Sequence, residues 1–118
     1  MSDQPLISVV VPFFQSRAHI AACIDSLLGQ ETGGAPQEII FVDNGSSDGS
    51  AEIVAGYDGL IVLEESTPGA YAARNTGIRR ARAPVIALTD ADCVADPNWL
   101  QEILLGLQDP TVDILLGH

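Results

Sequence analysis

The sequence predicts an α/β protein, in which a mostly parallel, Rossmann-like sheet lies between two layers of helices. Short apolar runs of strand type alternate along the chain with segments of helical periodicity. The strand-type runs are continuously apolar, which is typical of parallel strands that are buried on both faces. The chain has 118 residues, enough for a core of its own, and we predict that residues 1–118 form a single domain.

The first half of the chain predicts two strands, each followed by a helix. The apolar, β-branched run "LISVVVPFF" (6–14) predicts the first strand. Apolar residues recur on one helical stripe in 18–30, and Gly29 is expected to end that helix. "QEIIFVDN" (37–44) predicts the second strand. The helix predicted over 45–57 starts with the cap-type residues of "GSSD".

The second half continues the alternation with a strand, a helix, a strand, a helix and a last strand. In that order, the predicted segments are 60–65, 69–83, 84–90, 98–108 and 111–117. Asp96 is predicted as the N-cap of the last helix, with Pro97 at its first helical position.

The composition excludes several classes of function. A formal net charge of −11 disfavours nucleic acid and anionic lipid as partners. The chain has no lysine, which rules out a Walker-type phosphate site, a Schiff base and the phospho-acceptor site of a receiver domain. No apolar stretch reaches the ~18 residues of a membrane span. The N-terminus lacks the pattern of a signal peptide, so a cytoplasmic location is predicted. A peripheral position at the inner face of the membrane stays open.

Polar and acidic residues collect where the predicted strands end. In a parallel sheet, ligands bind outside the carboxyl ends of the strands. Asp43 and Asn44 end the second strand, and their oxygens could accept the imide hydrogen of uracil or a ribose hydroxyl. The "TDAD" segment places Asp90 and Asp92 at the end of the fourth strand. Alternate residues of an extended segment point the same way, so two carboxylates would share one cleft.

A divalent cation would explain this pair of carboxylates. Mg²⁺ and Mn²⁺ prefer carboxylate oxygen and often bind through one or two carboxylates together with substrate phosphates. Such an ion would also bridge an acidic protein to a diphosphate. D-x-D alone is a weak signal, and a strand-end cap at Asp90 is the simpler alternative.

Arg74 is the basic residue that calls for a partner. The helix over 69–83 is predicted to bury the stripe formed by Ala70, Gly77, Ile78 and Ala81, and Arg74 falls inside it. A guanidinium that faces the core needs an anion, which is either Asp43 or Asp90 in an ion pair or a bound ligand. Asn75 could orient either the ion pair or the bound ligand. The other arginines of this segment suit the helix dipole at its last turn.

The remaining reactive side chains give no further motif. Cys23 and Cys93 are far apart in sequence, without a C-x-x-C, and we predict two reduced, buried thiols. His19 and His118 are not next to a serine or cysteine nucleophile, and we interpret both as incidental.

Four motifs in order resemble the nucleotide-sugar-binding half of family 2 glycosyltransferases, which have the GT-A fold. They are "ISVVVPFFQ", "IIFVDNGSSDGS", "GAYAARNTGIRRA" and "VIALTDADC". The resemblance covers Leu6 to about Leu116. It implies transfer of a sugar from a nucleoside-diphosphate sugar, with a UDP-sugar favoured, to a hydroxyl of an acceptor sugar or lipid-linked glycan. It also implies Mg²⁺ or Mn²⁺ as the cofactor and inversion at the anomeric carbon.

The resemblance also implies roles for individual residues. Pro12, Phe13 and Phe14 line the nucleobase pocket. Asp43 and Asn44 recognise base and ribose, and Arg74 and Asn75 lie near the nucleotide. Asp90 and Asp92 hold the ribose and the metal-bound diphosphate, with Asp92 as the direct metal ligand.

Three departures from the family pattern qualify these roles. Phe14-Gln15 replaces the usual Tyr-Asn, and Asn44 replaces a second aspartate, which leaves the identity of the base open. The catalytic base of the family is expected beyond His118, together with the acceptor site. The alternatives are therefore a piece of a longer enzyme or a non-catalytic nucleotide-sugar-binding module. A metal-dependent phosphatase or nucleotidyltransferase would be supported by the two aspartates alone.

Overall fold

The computed structural model describes residues 5–31, 36–106 and 115–116, and they form one sheet with helices on both faces. The sheet has five strands in the order β3-β2-β1-β4-β5. The strands are β1 (Ile7–Phe13), β2 (Gln37–Asp43), β3 (Ile61–Glu64), β4 (Val85–Leu88) and β5 (Leu115–Leu116). The helices are α1 (Ile20–Leu28), α2 (Ser50–Ala55), α3 (Ala70–Arg80) and α4 (Trp99–Gly106).

The first four strands are parallel, and β5 pairs with β4 in the antiparallel direction. β1 is central, with β2 on one side and β4 on the other. The prediction of a mostly parallel, Rossmann-like α/β sheet is therefore confirmed. The predicted residues 111–114 and 117 of the last strand lie outside the described residues.

Two hydrophobic clusters make this a three-layer protein, as predicted. One face of the sheet packs on α1, α2 and α4, through residues such as Ile24, Val54 and Leu100. The other face packs on α3, where Ala73 lies against β-strand residues such as Val10. Successive residues of β1 alternate between the two faces, and all seven are buried. No helix in the described part of the chain is both long and apolar enough to cross a membrane.

Several predicted boundaries were wrong. The helix predicted over 45–57 covers only Ser50–Ala55, because the preceding serines bind another loop. The last helix begins at Trp99, so Pro97 is not at its first helical position. Asp96 was predicted as the N-cap, but its backbone carbonyl accepts a hydrogen bond from the Trp99 amide (3.0 Å) in a turn before the helix. β3 is half exposed, with alternating burial, because it lies at the edge of the sheet.

The buried face of α3 also differs from the prediction. Ala73 and Gly77 are the buried residues of the helix, whereas Ala70 is exposed and Arg74 is partly exposed. Gly77 lies directly on the sheet: a Cβ added there would overlap Cγ1 of Val10 and come within 3.2 Å of Cγ2 of Val42. The absence of a side chain at Gly77 thus sets how closely α3 approaches β1 and β2.

A buried polar cluster ties the connection from α3 to β4 down to the sheet. The Glu38 carboxylate accepts hydrogen bonds from the Ser8 hydroxyl (2.6 Å), the Arg82 amide (2.6 Å) and the Arg82 guanidinium (3.2 Å). Arg82 therefore lies beyond the helix and pairs with an acid, instead of interacting with the helix dipole as predicted. Burial alone would raise the pKa of Glu38, but the hydrogen bonds from Ser8 and Arg82 outweigh it and lower the pKa.

We expect Glu38→Gln to reduce the free energy of unfolding by about 1–2 kcal/mol at neutral pH, because a charge-assisted cluster loses its acceptor. The pKa of Glu38 is lower in the folded state than in the unfolded state, where it is 4.5. The contribution of Glu38 to the free energy of unfolding is therefore fully present above pH 4.5 and is lost as the pH falls through the folded-state pKa. Urea unfolding at stepwise lower pH should therefore show the gap between wild type and variant closing. The matched control is Glu64→Gln, at an exposed carboxylate. A gap that is independent of pH would contradict this role.

Candidate functional site

The predicted site residues lie at the carboxyl ends of β1, β2 and β4 and at the start of α3. β1 delivers Pro12 and Phe13 in parallel register with Val42 and Asp43 of β2, and Phe14 follows with its side chain 59% exposed. β4 is in register with β1 up to Val10 and Leu88, so the segment that follows it emerges at the same edge. This edge is where a parallel sheet places its ligands.

Asp90 and Asp92 meet in a turn and not on an extended strand, which corrects the predicted geometry. β4 ends at Leu88, and the Cys93 amide donates to the Asp90 carbonyl (3.1 Å), which closes a turn. Ala91 anchors this turn in the core, at 5% exposure. The two carboxylates are exposed, and ligand atoms of Asp90, Asp92 and Cys93 all lie within 4.8 Å of one another. The turn thus brings the predicted pair together.

The chemistry of this donor set fits a hard divalent cation. The two carboxylates supply oxygen ligands and leave the remaining positions to water and phosphate oxygens, as Mg²⁺ and Mn²⁺ sites commonly do. The thiol of Cys93 contacts the Asp92 Oδ1 atom at 3.6 Å, and a cation there would meet sulfur as well as oxygen. Neither of the two ion pairs among the described residues includes Asp92, so its charge is available to a cation.

Arg74 pairs with Asp90 and not with Asp43. Its guanidinium lies 3.4 Å from the Asp90 Oδ1 atom, and the two side chains are 31% and 60% exposed. The guanidinium also lies over the ring of Tyr71, 5.8 Å from the centroid. An exposed ion pair of this kind contributes little to stability, about 0–1 kcal/mol. An anion that enters beside Asp90 could therefore contact Arg74 at little cost to the stability of the fold.

Three hollows meet at Asp90. The Pro68 hollow has a volume of about 380 Å³ and is mostly apolar. Its walls are the end of β1, Asn44, the start of α3 and Asp90. They comprise Pro12, Phe13, Phe14, Asn44, Pro68, Gly69, Ala70 and Asp90. This size and apolar character match sites for small organic ligands.

The other two hollows also include Asp90 and are lined by different elements. The Arg74 hollow includes Tyr71, Arg74 and Asn75 and reaches along α3 to Leu88. The Asp92 hollow runs past Gln15 and His19 along the β1–α1 loop to Asp92. Eight of the nine predicted residues thus line a connected group of hollows.

Asp43 is the predicted residue that lines none of these three hollows. Its side chain is 7% exposed, and its Oδ1 atom accepts a hydrogen bond from the Ser46 amide (2.8 Å). By strand alternation it shares the face of Ile39 and Phe41, which is the face of α1 and α2. In this geometry Asp43 holds the turn after β2.

Asn44 faces the opposite way, toward the loop between β3 and α3. Its Nδ2 atom donates to the carbonyls of Glu65 (2.9 Å) and Thr67 (2.8 Å), and its Oδ1 atom accepts from the Gly69 amide (2.9 Å). The carboxamide is therefore engaged within the chain.

Hydrogen bonds join the β1–α1 and β2–α2 loops, and the sequence analysis did not predict this junction. Gln15 has a φ of 50°, in the left-handed region. Its side-chain oxygen accepts from the backbone amide of Ser47 (2.6 Å), and its backbone amide donates to the Ser46 hydroxyl (3.0 Å). The Arg17 amide likewise donates to Asp48 (3.1 Å). Ser46 and Ser47 were predicted as helix caps; they serve this junction instead, while Asp48 accepts from the Ser50 amide at the start of α2.

The prediction for the two cysteines was half wrong. Cys23 is buried in α1, and burial, followed by the nearby Cys93 and the two aspartates, raises the pKa of its thiol to about 11. Cys93 is exposed beside Asp92. The D-x-D pattern could have pointed to Cys93, because Cys93 directly follows Asp92 and lies in the same turn. Nothing in the sequence pointed to Pro68, whose loop forms a wall only in three dimensions.

Solved structures of two glycosyltransferases share this fold. The structure of S. aureus TarS (residues 1–349) in complex with UDP superposes with a TM-score of 0.77 at 25% identity, over 87% of this chain and 32% of that one. The mannosyltransferase PcManGT from Pyrobaculum calidifontis, in complex with GDP-Man and Mn²⁺, gives a TM-score of 0.75 at 28% identity, over 92% of this chain and 34% of the other. These neighbours are GT-A glycosyltransferases.

Sequence comparison gives the same grouping. The chain is 34% identical over 122 residues to the glycosyltransferase AglE of Haloferax volcanii, a match that covers 99% of this chain and 40% of AglE. The chain thus spans about two fifths of the length of this relative. The model of the family described as "Glycosyl transferase family 2" matches residues 8–118. This protein chain accordingly belongs to glycosyl transferase family 2.

Proposed function

We propose that this chain is the donor-binding part of a metal-dependent glycosyltransferase that uses a nucleoside-diphosphate sugar. The observation that carries the proposal is the Asp90–Cys93 turn, which presents two carboxylates where three hollows meet at the carboxyl edge of the sheet. An apolar hollow for a base next to ligands for a cation is the arrangement that a nucleoside diphosphate requires.

Asp92 is proposed as the direct ligand of Mg²⁺ or Mn²⁺, with Asp90 beside it. When bound, the cation would neutralise charge on the departing diphosphate. Asp90 is already paired with Arg74, at 3.4 Å, so it would act from a position shared between the cation and the guanidinium. Arg74 would bind a diphosphate oxygen or the ribose side of the donor, since guanidinium groups bind phosphate with two donors. Asn75 lines the same hollow and would support this contact.

The nucleoside is proposed to occupy the Pro68 hollow. Pro12 and Phe13 form its wall on β1, and the exposed ring of Phe14 offers a face for stacking. Asp43 holds the turn that follows β2 and would contribute to base recognition through it. A UDP-sugar is the proposed donor: TarS is seen with UDP, while PcManGT is seen with GDP-Man, so the choice of base is open to a direct test.

The transfer itself is proposed to be inverting. Residues of this chain would fix the donor, so that its anomeric carbon faces an acceptor hydroxyl; positioning of this kind supplies much of an enzyme's rate. The base that deprotonates the hydroxyl is proposed to belong to a part of the full-length protein beyond His118. The acceptor is proposed to be a sugar or a lipid-linked glycan, and a cytoplasmic location remains part of the proposal.

The experiment is a calorimetric titration of the protein with UDP, GDP, dTDP and ADP, each with and without Mn²⁺. We expect binding of UDP that is strengthened by Mn²⁺, and weaker binding of the other three. Tighter binding of GDP would overturn the choice of donor but keep the family of reactions. Failure of all four nucleotides to bind in the presence of Mn²⁺ would overturn the proposed function.

A further inference from the structure

The loop between β3 and α3 forms one wall of the Pro68 hollow, and one side chain from outside the loop makes three hydrogen bonds to it. Residues 65–69 leave β3 at the sheet edge and contribute Pro68 and Gly69 to the hollow. Pro68, Gly69 and Ala70 are all exposed, so packing does little to fix them. The contacts that hold this loop are hydrogen bonds.

Asn44 supplies three of these bonds and uses its whole carboxamide to do so. Nδ2 donates to the carbonyls of Glu65 (2.9 Å) and Thr67 (2.8 Å), and Oδ1 accepts from the Gly69 amide (2.9 Å). These partners fix the orientation of the amide, because only its nitrogen can face two carbonyls. Each end of the loop and its middle are thereby bonded to one residue of the neighbouring strand.

We infer that Asn44 is a positioning residue, which contributes to nucleotide binding by holding the wall of the hollow in place. The inference deepens the proposed function and rests on it. Both N–H groups of Asn44 are already used, so the residue could donate to a base only by breaking the loop's hydrogen bonds. Its oxygen accepts from the Gly69 amide and keeps a second lone pair, so the variants below are chosen to separate the loop role from a role as an acceptor for the base.

The hydrogen bonds that Asn44 makes in this chain require an amide. An ionised aspartate of the same shape has no donor, and it would place a carboxylate against two carbonyl oxygens. The acceptor bond from Gly69 would survive, but the bonds to Glu65 and Thr67 would be lost. A residue that reads the base as an acceptor would behave in the opposite way, since a carboxylate accepts more strongly than an amide.

Asn44→Asp therefore gives opposite results under the two roles. If Asn44 holds the loop, we expect Asn44→Asp and the neutral variant Asn44→Ala both to weaken nucleoside diphosphate binding about tenfold. The loss should be the same for every nucleoside diphosphate that wild type binds, because a displaced wall is not specific for one base. The alanine variant controls for the added charge of aspartate.

Hydrogen exchange of the free protein provides the second readout, and it does not depend on any nucleotide. We expect faster exchange of the Gly69 amide in Asn44→Ala, which has lost its acceptor, and faster exchange across residues 65–72 in both variants. Melting curves should confirm that both variants are folded. If Asn44→Asp binds as tightly as wild type, or if loop exchange is unchanged in both variants, the inference is overturned. If wild type itself binds no nucleoside diphosphate, the proposed function fails, and the exchange measurement still decides whether Asn44 holds the loop.

Discussion

Asp92→Ala is expected to abolish the strengthening of nucleotide binding by Mn²⁺. Asp92 is exposed in the Asp90–Cys93 turn, and neither described ion pair uses its charge. Loss of an outer-shell partner typically weakens metal affinity about 10–100-fold, so loss of a direct ligand should cost at least about 100-fold. Calorimetry with UDP and Mn²⁺ measures this directly. Binding without metal should change little, because Asp92 does not line the Pro68 hollow.

The control for Asp92→Ala is Asp58→Ala. Both variants remove one negative charge from an exposed carboxylate. Asp58, however, lies in the connection from α2 to β3, before the amino end of β3, whereas the site lies at the carboxyl ends of the strands. Asp58→Ala should bind UDP and Mn²⁺ as wild type does. Equal binding by Asp92→Ala and wild type would refute the metal role of Asp92. Equal losses in both variants would instead point to the overall charge of the protein.

Gly77→Ala is expected to destabilise the fold by roughly 2–3 kcal/mol, as overpacking of a core does. The added methyl would overlap Cγ1 of Val10, whose side chain is fully buried in the centre of the sheet. The better helix propensity of alanine returns only about 1 kcal/mol. Urea unfolding measures the difference. Because α3 also carries Arg74, nucleotide binding should weaken as the helix moves away from β1.

Gly56→Ala is the matched control for Gly77→Ala. Gly56 follows α2 with a φ of −78°, which alanine adopts readily, and an added Cβ would meet the Ile53 carbonyl oxygen at an ordinary 3.5 Å. Its stability should stay within about 0.5 kcal/mol of wild type. Similar stability of the two variants would show that α3 can shift at little cost.

The elements with a strong pattern could be predicted from the sequence, and their ends could not. β1 and β2 each contain an uninterrupted apolar stretch, over 9–13 and 39–42, as expected for strands covered on both faces, and this made their strand type clear. The start of α2 was misjudged because Ser46 and Ser47 are equally suited to cap a helix or to bind another loop. The partner that decides is Gln15, about 31 positions earlier in the chain.

In the site, too, the sequence predicted which residues come together but not how the loops around them pack. The meeting of Asp90 and Asp92 was predicted, although a turn brings them together instead of an extended strand. The pairing of Arg74 with Asp90 was one of the alternatives that the sequence left open. The burial of Asp43 on the other face and the exposure of Cys93 depend on how loops pack, which hydrophobic periodicity does not encode.

The junction between Gln15 and Ser47 has a consequence for protein engineering and for evolution. Each loop satisfies hydrogen-bonding groups of the other, so a change in one loop affects the conformation of both. A chimera that takes only the β1–α1 loop from a homologue would leave Ser46 and Ser47 without their hydrogen-bond partners. Exchange of both loops together would keep the hydrogen bonds between them. Because the Gln15 Nε2 atom also donates to the Ser47 hydroxyl (3.2 Å), residues 15 and 47 should change together across orthologues.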